Sequence, residues 1–361
     1  MRNEIAALFE HDGPFVSVYL DARSDQPQAQ QQLLTRWKTA RSALSAEGAT
    51  DDDLAAIDAA VESATHVGGD TLALIAAGGK VLLDRHLPEP PAGDRWKLGL
   101  LPWVGPLVET AQTLLPHVIV VAERTGAEIY GFDASGESVE EEVSASSNED
   151  VEKVKAGGWS QRRYQNRAVQ EWEQNAAEVA EEVAAIAKQV GARVIGVRGD
   201  VHAVRLLREA LPAEAAALVR DLDGQGQLGE PHRLVDTVVA EETVAVLAEF
   251  KQEKGQHDRA ADGPARVLEA LQSATVQTLL VHDDADDDRQ AWIGPEPGLV
   301  GPDEATVRAF GVETPLPTRL VDACIRAAYG TSADVRIVPS AVVTDGLGAI
   351  LRHTGTTPDR P

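Results

Sequence analysis

Short apolar runs alternate with long amphipathic stretches along this chain, and that alternation predicts most of its elements. Pro14-Phe15-Val16-Ser17-Val18-Tyr19-Leu20 alternates and is rich in β-branched and aromatic residues, the pattern of a strand. Polar, helix-favouring residues follow from Gln28 to Glu47 and from Asp51 to Thr65. Thr50 is placed to cap the second of these helices, and acids fill its first turn. Leu72 to Ala76 and Lys80 to Leu83 read as paired strands turning through Gly78-Gly79. Pro88-Glu89-Pro90-Pro91 then breaks regular structure. Residues 1–112 therefore predict a small α+β domain.

A second segment, residues 113–250, changes pattern. His117 to Ala122 is almost wholly apolar, as a buried strand is, and Thr125-Gly126 turns the chain into a returning strand, Ala127 to Phe132. Ser135 to Asp150 is rich in acids and serine and reads as a polar loop. A long helix is predicted from Gln161 to Gln189. Its apolar positions Trp172, Ala176, Val179, Val183, Ile186 and Val190 are spaced four and three apart, one stripe on one face, and Gly191 closes it. Val194–Val197 and Ala217–Leu222 read as strands, Val201–Leu211 and Leu234–Phe250 as helices. Strand and helix alternate, so an α/β domain with a largely parallel sheet is expected. The third segment, residues 251–361, opens on a charged joint, Lys251 to Gly255, that can continue the preceding helix. Helices at 265–273, 306–310 and 320–329, strands at 278–282 and 335–338, and a closing turn and strand over 346–352 predict a second, small α/β domain.

Composition narrows the function. The 361 residues carry a formal net charge of -25, which opposes generic binding to nucleic acid, since that binding is driven by release of counterions from phosphates. Any RNA contact must come from a local basic patch. One cysteine, Cys324, leaves no intramolecular disulfide and no thiolate cluster for zinc. No metal or cofactor is expected. The N-terminus lacks the apolar core of a signal peptide, and no run approaches the roughly 18 apolar residues that span a bilayer. A soluble, cytoplasmic protein is the expectation.

Three features then occur in an informative order. A hairpin leads to a basic loop, Lys153-Val154-Lys155-Ala156-Gly157-Gly158-Trp159-Ser160, at the head of the long helix. A helix–strand unit follows, Arg266 to Leu271 leading to Val276 to Val281, and the chain nears its end with Gly346-Leu347-Gly348-Ala349-Ile350-Leu351-Arg352. This order resembles the archaeo-eukaryotic release factor superfamily, which includes Pelota. Among bacterial members it is similar to the actinobacterial type and to the hibernation factor Balon. The resemblance implies three domains: an N-terminal one facing the decoding centre, a middle one reaching the peptidyl transferase centre, and a C-terminal one, of ribosomal-protein-like type, docking a translational GTPase such as elongation factor Tu. It implies the ribosome as partner, through 16S and 23S rRNA.

Catalytic members of that family carry Gly-Gly-Gln at the tip of the middle domain. Gly157 and Gly158 match, but Trp159 stands at the Gln position and Gln161 lies two residues on. A displacement of about 1 Å can cost on the order of a hundredfold in rate, so the departure weighs against peptide release. Lys153, Lys155, Arg162, Arg163 and Arg167 nevertheless set five cations against Glu152 alone, a net of +4. Ser160 can cap the helix, whose N-terminus favours phosphate, and Trp159 offers a face for base stacking. Read alone, these residues fit a solvated loop before a capped helix as well as they fit an RNA-binding finger; the resemblance favours RNA. The expected function is a ribosome-hibernation or protection factor in the vacant A site under stress. The alternatives are a peptidyl-tRNA hydrolase or ribosome-rescue release factor acting through Gln161, or an RNA-binding adaptor outside the ribosome.

Other signals point to structure. Gly224-Gln225-Gly226-Gln227-Leu228-Gly229 has dinucleotide-fingerprint spacing, but Glu230-Pro231 delays the helix and no βαβ unit closes, so it reads as a loop. His282 to Asp288 lacks calcium-loop spacing and reads as an acidic surface loop. Arg198-Gly199-Asp200 reads as a strand-to-helix turn, and His202, with no nucleophile motif beside it, as structural.

Overall fold

A computed structural model of the chain describes residues 1–23, 28–64, 71–88, 93–123, 126–134, 138–144, 160–222, 230–256 and 259–353, with the backbone alone at 142–144, 160–174 and 230–231. Two compact units result, Met1–Gln112 together with Ala245–Pro361, and Thr113–Val244.

The first unit begins α1 (Arg2–Leu8), β1 (Phe15–Asp21), α2 (Ala29–Glu47), α3 (Asp51–Ser63), β2 (Thr71–Ala77), β3 (Lys80–Leu87), β4 (Arg95–Gly99) and α4 (Gly105–Thr113). The strands form an antiparallel sheet in the order β3-β2-β1-β4. Both faces of β1 are covered, which is why its polar alternation is so weak. Val16, Val18 and Leu20 pack under α2 and α3 with Leu33, Trp37, Leu54 and Ile57. Phe15 and Tyr19, on the opposite face, join a core shared with Val267, Leu279, Val321 and Ile325 of the third segment. The Thr50 cap forms as expected: its hydroxyl accepts from the Asp53 amide at 3.2 Å. Asp53 is itself buried and accepts from the Gly79 amide at 2.7 Å, tying α3 to the β2–β3 turn. Gly78 and Gly79, at φ +60° and +74°, supply the left-handed backbone this turn requires.

The second unit holds β5 (His117–Glu123), β6 (Gly126–Phe132), β7 (Ser138–Ser144), α5 (Ser160–Val190), β8 (Val194–Gly199), α6 (Val201–Ala210), α7 (Ala213–Ala217) and β9 (Val219–Asp221). Its sheet runs β7-β6-β5-β8-β9. The pairs β5–β8 and β8–β9 are parallel, while β5–β6 and β6–β7 are antiparallel. The sheet is therefore mixed rather than largely parallel, because a second hairpin extends it on one side. That hairpin uses residues expected to be loop: β7 carries Glu140, Glu141 and Glu142, poor strand formers that pairing with β6 overrides. The expected strand at 217–222 shrinks to the three residues of β9, since α7 takes up Ala217.

α8 (Glu230–Gln256) runs through the charged joint without a break and carries the chain back to the first unit. There follow β10 (Ala260–Asp262), α9 (Pro264–Gln272), β11 (Val276–Val281), β12 (Gln290–Ile293), β13 (Val300–Gly301), α10 (Glu304–Ala309), β14 (Leu316–Arg319), α11 (Leu320–Gly330), β15 (Asp334–Ile337) and β16 (Leu347–Leu351). One sheet is ordered β10-β16-β11-β15, with β11 and β15 parallel, and a smaller one β13-β12-β14. Every residue of α11 from Leu320 to Ala328 is buried, Asp322 and Arg326 included. Among the described residues no helix is long and apolar enough to cross a membrane.

Candidate functional site

The second unit is built to hold one long helix. α5 has 31 residues, roughly 46 Å at 1.5 Å per residue. Val179, Ala180, Val183, Ile186, Ala187 and Val190 are buried against the sheet. Gly131 on β6 permits this: a Cβ there would lie 2.6 Å from Ile186 Cγ2. The helix ends in a Schellman pattern, with the Ala192 amide donating to the Ala187 carbonyl at 2.7 Å and Gly191 at φ +68°. Trp172, the first residue of the apolar stripe, has no described side chain.

Ser160, Gln161, Arg162, Arg163 and Arg167 occupy the first two turns of α5, where only the backbone is described. Lys153, Lys155, Gly157, Gly158 and Trp159 lie outside the described residues, as does the glycine-rich run 224–229. The helix expected from Gln161 thus starts within one residue of that position, at Ser160.

At the other end of the helix's sheet, Arg198-Gly199-Asp200 forms the expected strand-to-helix turn. Gly199 has φ +129°, and a Cβ on it would lie 1.9 Å from the Ala122 carbonyl oxygen. Only glycine fits there. Asp200 caps α6 through the amides of His202 and Ala203, at 3.0 and 3.2 Å, and its own amide donates to Ala122 at 2.9 Å. His202 Nδ1 lies 3.4 Å from Arg205 Nη2. His202 lines a depression with Glu123, Asn175 and Val179, and among the described residues no nucleophilic side chain lines it. Among the described residues no three His, Cys, Asp or Glu side chains are grouped to hold a metal.

The most perturbed titratable cluster among the described residues lies in the first unit and includes Asp283, which the sequence reads as part of an acidic surface loop. Asp283 is 5% exposed and pairs with Arg319 Nη2. Its other oxygen accepts from Trp103 Nε1 at 2.9 Å and occupies the space where a Cβ on Gly105 would stand. The carboxylate thereby sits at the N-terminus of α4, where the helix dipole favours it. Arg319 Nη1 donates to Asp322 at 2.8 Å, and both side chains are under a tenth exposed. Arg319 also donates to the Asp284 and Asp287 carbonyls at 2.7 and 3.1 Å. Lys97 Nζ donates to the Ala285 carbonyl at 2.9 Å and lies 5.6 Å from the Trp103 ring centre. Tyr19 donates to the Trp103 carbonyl at 2.6 Å. Burial pushes the Asp322 carboxyl up to about 7, against the pull of Arg319. Burial lowers Lys97, with Arg319 adding to the effect. Arg319 is raised: burial works against its charge, but Asp322 and Asp283 outweigh it. The sequence signal for this cluster was an aspartate-rich run; its partner arginine, 36 residues downstream, left no local trace.

Comparison with known proteins places the second unit. Residues 116–257 match the model of bacterial archaeo-eukaryotic release factor family 2. That match lies in the segment that holds the hairpin and the long helix, and it supports the likeness to this family that the order of elements implied. Over 374 aligned positions it is 27% identical to the uncharacterized protein Rv2629 of Mycobacterium tuberculosis (strain H37Rv), covering 99% of this chain and 98% of that protein. Among solved structures it is similar to a ribosome-bound archaeal Pelota (13% identity, 98% and 94% of the two chains, TM-score 0.40). It is also similar to the archaeal translation termination factor aRF1 (16% identity, 97% and 98%, TM-score 0.25).

Proposed function

We propose that this chain is a ribosome-binding translation factor that occupies the vacant A site and protects idle ribosomes without releasing peptide. The observation that carries the reading is a release-factor-type middle segment whose Gly157-Gly158 is followed by Trp159, where catalytic members have Gln. Residues 1–112 act at the decoding centre, 113–250 reach toward the peptidyl transferase centre, and 251–361 dock a translational GTPase, elongation factor Tu being the bacterial counterpart. Lys153, Lys155, Arg162, Arg163 and Arg167 hold rRNA phosphates and Trp159 stacks on a base. A chain with a net charge of -25 needs such a concentrated basic end to approach rRNA. Co-sedimentation of the full chain with ribosomes from stressed cells at low salt tests this; no association would sink it.

A second reading rests on Gln161, two residues beyond the usual position. In it the chain hydrolyses peptidyl-tRNA from a rearranged tip. Release of labelled peptide from stalled complexes, abolished by Gln161→Ala, would establish that reading over the first.

A further inference from the structure

Asp322 stands where the first and third segments meet, and its surroundings suit a neutral carboxyl better than an ionised one. Within the described residues its Oδ1 accepts one hydrogen bond, from Arg319, and its Oδ2 has no partner. An ionised carboxylate buried this deeply needs several donors. The guanidinium it shares is already held by a second carboxylate, Asp283. Lys97, a second cation nearby, directs its ammonium to the Ala285 carbonyl and the Trp103 ring and forms no ion pair among the described residues. The neutral state leaves one matched pair, Asp283 with Arg319, between β14, the segment after β11 and the start of α4.

We propose that Asp322 makes the joint between residues 1–112 and 245–361 a proton-linked latch, tight when the carboxyl is neutral and loosened as it ionises toward neutral pH. The charged and titratable groups facing it are Tyr19 from β1, Lys97 from β4, Asp283 from the segment after β11, Arg319 from the end of β14, and Cys324 from its own helix; Asp288 acts on Lys97. Tyr19 is raised well above its ordinary value by burial, and burial pushes the Cys324 thiol up to about 12, so neither changes charge between pH 5 and 8. Asp322 does. Its folded-state value, about 7, exceeds the ordinary 3.8. In that window the folded chain therefore holds one more proton than the unfolded chain, and stability falls as pH rises from about 4 toward 7, then levels off.

The test is urea unfolding of the full chain at pH 5 to 8, wild type against Asp322→Asn. The wild-type unfolding constant of the first unit is expected to rise by up to tenfold per pH unit until about pH 7. Asp322→Asn removes that rise while keeping every other titrating group. His117, which burial lowers, belongs to the second unit and does not enter the first unit's unfolding constant. Identical pH profiles would overturn the latch. Carbon-13 NMR of labelled aspartate carboxyls in the wild-type chain needs no variant to fold. One aspartate changing ionisation near neutrality is expected, and all aspartates fully ionised by pH 5 would overturn it.

Discussion

At the scale of single residues, backbone geometry is the strictest constraint. Gly199 pairs with Ala122 across β8 and β5, so the carbonyl that a Cβ would strike is fixed in a ladder and cannot retreat. Gly199→Ala should destabilise the second unit by about 3 kcal/mol or more, read as a lower urea midpoint. Thr50 has a gentler role. Removing its hydroxyl in Thr50→Ala leaves the Asp53 amide unpaired at the head of α3, at a cost of about 1 kcal/mol in the same measurement. The Thr50 cap and the glycine turn at 78–79 were legible because both are local chemistry. The Asp283–Arg319 pair was not: a run of five aspartates in seven residues looks solvated whichever of them is turned inward, and only tertiary contact decides.

At the scale of elements, α5 shows what periodicity can and cannot reveal. A four-three stripe over nineteen residues has few explanations other than a helix on a sheet, and the structure buries the stripe from Val179 to Val190. Ile186→Ala should cost roughly 2 to 5 kcal/mol of stability. Gly131→Ala should also destabilise, since its methyl meets Ile186 Cγ2, but the two changes combined should cost less than their sum. A double-mutant cycle by thermal melting reads that coupling. Short strands escaped detection. β12, β13 and β14 span two to four residues each, too few for a period of two to register, and β7 is disguised by three consecutive glutamates that only its hairpin partner makes tolerable.

At the scale of the whole molecule, the proposed ribosome contact is a small positive charge carried by a large negative body. Association should therefore weaken steeply with salt. Replacing Lys153 and Lys155 by Ala should flatten the dependence of log affinity on log salt by roughly 0.7 to 0.9 per lost phosphate contact, measured by filter binding to purified ribosomes. Trp159→Ala should weaken binding with little change in that slope, since stacking releases no counterion. The long-range closure of the first unit also bears on how the protein is made. The first unit is closed by Phe15 and Tyr19 packing with Val267, Val321 and Ile325, side chains some 250 to 300 positions apart in the chain. At about 5 to 20 residues per second, the synthesis of everything after Gln112 takes on the order of ten to fifty seconds. Until those residues are made, that face of the β1 sheet has only side chains such as Ile5, Leu8 and Trp103 from its own segment to pack with, while the inserted second unit can already have folded. The nascent chain is thus most exposed to chaperones, and to misassociation, at the face its own last-made residues will hide.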